Sequence, residues 1–150
     1  MKPIAVGVHV EQPRTAVFEF LDVLANHQPF TDHFLIDWTC DPIASGIGAR
    51  ARMRSNVPGP ADWIEMEVVA AEAPSTIVEE AVGAKGRRRT RGTYKLEELP
   101  DGGTDVNFEL AFLQAPLSER LAAPLVRIWM KRANAKAMLR LRETLSAAGV

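Results

Sequence analysis

Seven stretches of this chain alternate apolar and polar residues with a period of two, and turn signals separate most of them. A period of two sends successive side chains to opposite faces of a strand. Each stretch therefore has one face that must be covered and one that tolerates water. The first places Ile4, Val6, Val8 and Val10 opposite Ala5, Gly7 and His9. The others span 35–40, 48–54, 63–69, 76–82, 87–99 and 105–113. Asp41-Pro42, Pro58-Gly59-Pro60, Pro74, the loop 83–86 and Pro100-Asp101-Gly102-Gly103 punctuate them. Strands joined by short turns pair antiparallel.

Helical signals occur in two places. Pro13 fixes φ where a helix can begin, and Val17, Phe18, Leu21 and Leu24 follow at helical spacing, which predicts a helix over 13–25. A shorter one is expected over 27–33, with Pro29 in its first turn. From Pro116 to about Ala148 the chain is rich in Leu, Ala, Arg, Lys and Met, with no β-branched cluster. Pro124 suits the first turn of a long helix and divides this region. A helix from there to Ala148 would be about 37 Å long. The predicted fold is α+β: a seven-stranded curved antiparallel sheet gripping one long C-terminal helix. A helix about 10 Å wide cannot fill the concave side of a curled sheet. Ala49, Ala51 and Gly92, small and inward-facing, thin the core further. An apolar cavity between sheet and helix is the expected result.

Composition narrows the function classes. With 150 residues, 47% apolar and 25% charged, the chain is expected to form one folded domain over 1–150. Its 18 Lys and Arg against 19 Asp and Glu argue against gripping nucleic acid by its phosphates. Apolar runs are too short for a membrane span, and residues 1–10 lack a convincing signal peptide, so a cytoplasmic protein is expected. Cys40 is the single cysteine, which excludes an internal disulfide and a cysteine-rich zinc site, and it reads as a small buried hydrophobe. His9, His27 and His33 contain no pair at i, i+4, so no metal site and no cofactor are expected. His27 and His33 read as surface or helix-end residues, with a place beside Asp32 at a cavity mouth as the alternative.

Several segments together carry a resemblance. They are Pro13-Arg14-Thr15-Ala16-Val17-Phe18-Glu19-Phe20-Leu21 after a first strand, and Gly46-Ile47-Gly48-Ala49-Arg50-Ala51-Arg52 entering another. Gly92-Thr93-Tyr94-Lys95-Leu96, Gly102-Gly103-Thr104-Asp105-Val106-Asn107-Phe108 and the closing helical region follow in order. This arrangement resembles the START-type helix-grip superfamily, also labelled SRPBCC or polyketide cyclase/dehydrase. The resemblance implies a site for lipids, polyketides, hormones or other hydrophobic ligands. Only some members are enzymes and no catalytic motif is common to all, so no catalytic residue carries over.

The remaining motifs divide on their chemistry. Gly46-Ile47-Gly48-Ala49-Arg50-Ala51 fits G-x-G-x-x-A, but a strand follows it where a dinucleotide site needs a helix. No G-x-S-x-G elbow is present. On the strand through Arg87-Arg88-Arg89-Thr90-Arg91, Arg87, Arg89 and Arg91 share one face. With Arg50, Arg52 and Arg54 opposite Glu65 and Glu67 they read as a solvated outer face of cross-strand pairs, or as a surface for an anionic partner. Arg88 faces inward with Thr90, Gly92, Tyr94 and Leu96. Pairing across a loop at 83–86 sets Glu79 near Thr90, giving an Arg88–Glu79 polar patch in the cavity. A one-residue slip would send Glu80 inward instead, and a rim ion pair is the other alternative. Trp38, Ala51, Met53, Met66, Tyr94, Phe108, Phe112, Leu125 and Trp129 are the expected walls. Arg132 and Lys136 fall within the helix arc of Leu125, Ile128, Trp129 and Ala133, where they either snorkel to the cavity edge or neutralise a ligand carboxylate.

The favoured function is binding of a hydrophobic or aromatic small molecule by a monomer or homodimer. The alternatives are a cyclase or dehydratase using Glu79 or Tyr94 for proton transfer, and a non-catalytic interaction module using the arginine face.

Overall fold

Seven strands form one antiparallel sheet: β1 (Ile4–Val10), β2 (Leu35–Cys40), β3 (Arg50–Ser55), β4 (Trp63–Glu72), β5 (Thr76–Gly83), β6 (Arg88–Glu98) and β7 (Thr104–Gln114). Their spatial order is β1-β7-β6-β5-β4-β3-β2. The computed structural model describes residues 1–43, 45–57 and 61–149. The turn expected at Pro58-Gly59-Pro60 lies outside the described residues. From β2 to β7 each strand lies beside its neighbour in sequence, as short turns require. β1 closes against β7, so the connection from β1 to β2 must cross the sheet, and the short helices lie in that crossing.

The first of them, α1 (Arg14–Leu21), starts after an extended Pro13 and buries Val17, Phe18 and Leu21. It is shorter than the 13–25 expected. Val23 is extended and bridges to Ser45, while the Asp22 carboxylate accepts the backbone N–H of Gly46 at 3.3 Å. Those contacts with the segment before β3 break the helical run, and the chain resumes as a 3₁₀ turn, Leu24–His27, followed by α2 (Gln28–Thr31). The helix expected over 27–33 is reduced to that single turn.

After β7 come α3 (Leu117–Leu121) and α4 (Ala123–Ala147), with Pro124 in the first turn of α4. Ala133, Asn134, Ala137, Met138, Leu141 and Leu145 are its buried residues, packed toward β1 and α2. Burial on α4 thus begins ten residues into the helix. No helix among the described residues is long and apolar enough to cross a membrane.

Registers decide which side chains face the helix. In the β5–β6 hairpin Gly83 pairs with Arg88, so Glu79 lies opposite Gly92 rather than Thr90. The loop is displaced by one residue at each end from the one expected. That slides the pairing by two, which preserves the faces, and Glu79 is inward and Glu80 outward. Gly92 is needed where it stands: a Cβ there would lie 2.8 Å from Cε1 of Phe108, whose ring crosses β6 at that point. In β2, Asp37 and Trp38 together oppose Met53, because a bulge lies between Ile36 and Thr39 and Asp37 adopts φ 55°.

The outer face is largely self-neutralised. Arg50 reaches Glu67 at 3.4 Å and Arg91 reaches Glu80 at 3.0 Å. Arg54 turns to Asp37 at 2.7 Å, and Arg52 stacks over Trp63 with its guanidinium carbon 4.2 Å from the ring centre. Arg52 and Arg54 thus depart from the expected glutamate pairing. Such exposed pairs contribute about 0–1 kcal/mol each.

Candidate functional site: an apolar cavity under the long helix

Between the concave face of the sheet and α4 lies a cavity of about 580 Å³. That is within the range of small-molecule sites, roughly 300–1,000 Å³. Trp38, Met66, Tyr94, Phe108, Phe112, Leu125 and Trp129 line it, together with Glu79, Arg88 and Thr90. Ala51 and Met53, also expected as walls, are buried but do not line it. Their strand, β3, lies beside the 3₁₀ turn Leu24–His27, and both residues belong to the packed core. The lining also includes Phe34, Leu35, Ile64 and Leu110, apolar positions that the sequence reading did not single out. Trp38 and Leu35 reach the same side of β2 because of the bulge between them; regular alternation would have sent Trp38 outward.

The two ends differ. Leu125 and Ile128 line the cavity yet are exposed, so its mouth lies at the beginning of α4. Arg132 lines this rim and is exposed, whereas Lys136 is exposed and outside the lining. His27, Thr31, Glu79, Tyr94 and Phe108 are all buried and form the inner end. Here aromatic rings pack together: His27 and Tyr94 meet edge to face with centroids 5.7 Å apart at 77°, and Tyr94 and Phe108 are tilted at 43° with centroids 4.6 Å apart.

The polar groups do not pair as expected. Arg88 makes no pair with Glu79. Its guanidinium reaches Asp62 at 3.0 Å and Glu119 at 2.7 Å, joining β6 to the residue before β4 and to α3. Both partners belong to segments outside the hairpin, so hairpin reasoning alone could not find them. Burial opposes the charge on Arg88, but Glu119 and Asp62 outweigh it and hold the guanidinium above its usual pKa.

Glu79 faces His27 instead, with Oε2 3.8 Å from Nδ1. His27 is no surface residue: it is 1% exposed, held beneath the break after α1, and its Nε2 lies 2.7 Å from the Leu21 carbonyl oxygen. Burial pushes Glu79 up to about 8 and His27 down to about 4, so at neutral pH both are uncharged. Burial, and then the nearby Glu79, raise Tyr94 well above the ordinary tyrosine value. His33 is held elsewhere, between the Ala133 carbonyl at 2.9 Å and Arg140 at 2.8 Å, in a clip of α2 to α4 that includes an Asp32–Arg140 ion pair. Cys40 is partly buried, and burial and then Asp41 push its thiol pKa up, which disfavours a thiolate.

The arrangement can enclose an apolar body of ring size and touch it with one uncharged acid at its inner end. Similar architectures exist. The chain superimposes on TTHA0849 from Thermus thermophilus with a TM-score of 0.76 and 18% identity, over 99% of this chain and 100% of that one. DynU16, a protein of the dynemicin biosynthetic locus, aligns with a TM-score of 0.68 and 16% identity, over 99% of this chain and 48% of that one. Ara h 8.0201 gives 0.60 and 14%, over 93% and 97%. No family model matches the sequence, and no curated protein matches it at a significant level.

Proposed function

From the helix-grip fold shared with these structures, we propose that this protein binds a hydrophobic or aromatic small molecule in the cavity beneath α4. The observation that carries the reading is the cavity of about 580 Å³ itself, closed by buried rings at one end and open beside exposed Leu125 and Ile128 at the other. A comparable void with no guest is costly, because interiors otherwise pack to crystal-like density. The occurrence of this fold in a protein of a biosynthetic locus agrees with a small organic ligand.

The test is a fluorescence titration with N-phenylnaphthylamine, an uncharged apolar probe. Saturable binding is expected, with quenching of Trp38 or Trp129, which line the cavity. Ala81→Phe, which sets a ring into the same space, is expected to weaken it. Non-saturable partitioning that ignores Ala81→Phe refutes the reading.

A proton-transfer enzyme acting on the same ligand is a second reading, favoured by the buried Glu79 carboxyl on the cavity wall. Under it Glu79→Gln abolishes turnover of a polyketide-like ketone and leaves probe binding intact. On the arginine face Arg50 and Arg91 pair with neighbouring glutamates, whereas Arg87, which donates to the Ala84 carbonyl at 3.1 Å, and Arg89 are exposed; no cavity or other built site accompanies them among the described residues.

A further inference from the structure

The hydrogen-bonding groups at the inner end of the cavity have a direction. The Leu21 carbonyl can only accept, so His27 Nε2 at 2.7 Å carries the ring proton. The uncharged imidazole therefore turns a bare Nδ1 lone pair toward Glu79 Oε2, 3.8 Å away. Oε2 is buried and has no hydrogen-bond partner among the described residues. A lone pair facing it favours the carboxyl form with its proton on Oε2, pointing at Nδ1. The other oxygen of Glu79 is then a carbonyl-type acceptor. Burial, which holds Glu79 near 8 and His27 near 4, keeps both groups in these uncharged forms at neutral pH.

Three of the surrounding donors are already committed, while among the described residues the Tyr94 hydroxyl and Thr90 Oγ1 on the same lining remain free to meet a ligand's acceptor. Thr31 Oγ1 donates to the His27 carbonyl at 2.7 Å, Trp38 Nε1 to the Leu35 carbonyl at 3.0 Å, and Asn134 Nδ2 to the Met130 carbonyl at 2.8 Å. An acceptor left bare in an apolar site is unfavourable, whereas a matching donor on a ligand relieves it. Of the cations near the cavity, Arg88 is held by two carboxylates and Arg132 stands at the exposed rim.

We propose that Glu79 is the acceptor of a ligand subsite for a hydrogen-bond donor. The preferred guest is an apolar, ring-containing molecule with a hydroxyl or N–H at its buried end, such as a phenol or hydroxyarene. A carboxylate in that position is rejected, since it would meet an acceptor with no free cation beside it. Here His27 is a positioning residue that fixes which oxygen of Glu79 holds the proton. The assignment rests on the proposed binding of apolar molecules in this cavity and adds the chemistry of their inner end.

A matched series on one aromatic body tests it. Naphthol, methoxynaphthalene and naphthoate compete against bound N-phenylnaphthylamine, on the wild type, Glu79→Gln and Glu79→Met. On the wild type, naphthol is expected to bind about tenfold tighter than methoxynaphthalene, the size of one net hydrogen bond, and naphthoate weakest of the three. Gln keeps the naphthol preference, because its N–H₂ donates to Nδ1 and its oxygen still accepts from the ligand. Met removes it, so that naphthol and methoxynaphthalene bind this variant equally when the two are compared as a ratio against the same bound probe. Equal affinity of naphthol and methoxynaphthalene for the wild type overturns the subsite, as does a preference that survives Met or disappears in Gln. If N-phenylnaphthylamine itself fails to bind, the cavity reading falls and takes the subsite with it. If the probe binds and the preference is absent, the subsite alone falls.

Discussion

Replacing Glu79 with Gln should invert the way stability depends on pH. Folding holds the Glu79 carboxyl at about 8 against an ordinary 4.5, so the folded protein keeps a proton that the unfolded chain has lost throughout that interval. Its contribution is complete below pH 4.5 and is lost as pH rises to about 8. His27 acts in the opposite sense. It stays neutral in the fold down to about 4, whereas the unfolded chain takes up its proton below 6.5, so stability falls as pH drops through that window. Each slope is about 1.4 kcal/mol per pH unit. Between 4.5 and 6.5 these two slopes cancel; from 6.5 to 8 Glu79 acts unopposed and its contribution declines. Glu79→Gln leaves His27, together with His33, whose pKa burial moves in the same direction. The variant should gain stability from pH 4 to 6.5 and level off, ending more stable than the wild type by about 3 kcal/mol at pH 7, from the 4.5-to-8 displacement. Urea unfolding followed by tryptophan fluorescence at one-unit pH steps measures both curves. Parallel profiles, or a variant less stable at pH 8, would refute the reasoning, since they would mean that Glu79 is ionised in the fold at little cost.

Gly92→Ala sets a Cβ against the Phe108 ring at 2.8 Å and Glu79 Cγ at 3.3 Å. Thermal denaturation should show a loss of about 1–3 kcal/mol, with weaker probe binding as the ring is driven into the cavity; an unchanged midpoint would show that the ring moves freely. Glu119→Gln weakens the pair with Arg88 that ties α3 to the sheet, in a helix with no buried residue. It should cost below about 1 kcal/mol yet speed amide exchange over 117–121, and exchange at the wild-type rate would show that α3 is held by other means.

Strand count, the succession of elements along the chain and the closing helix were legible because alternation, turns and Pro124 are local signals and agree with one another, whereas the closure of β1 on β7 has no local signal. The inward side of Glu79 survived a misplaced loop because a hairpin slides in steps of two. What failed depended on contacts distant in sequence. Arg88 finds partners in Asp62 and Glu119, which no hairpin register predicts. The burial of His27 follows from the break after Leu21, made by the contacts of Asp22 and Val23 with Gly46 and Ser45. Trp38 was placed in the cavity by hydrophobicity alone, and the bulge that turns it there had one visible marker, an aspartate in mid-strand at Asp37, a residue that tolerates the left-handed region better than most. Ala51 and Met53 carried the right pattern, but they are packed into the core beside the 3₁₀ turn and not along the cavity.

The late start of burial along α4 divides the labour within one helix. Its second half, from Ala133 to Leu145, is clamped and carries the fold. None of the first ten residues is fully buried, although Trp129 and Met130 pack against the core, and Arg127 steadies the segment by donating to the carbonyls of Lys2 and Pro3 at 2.9 and 3.1 Å. These residues span the chamber's entrance like a lintel, resting on Arg127 at one side and on the half-buried Trp129 and Met130 at the other, so the doorway is framed by the least buried part of the helix.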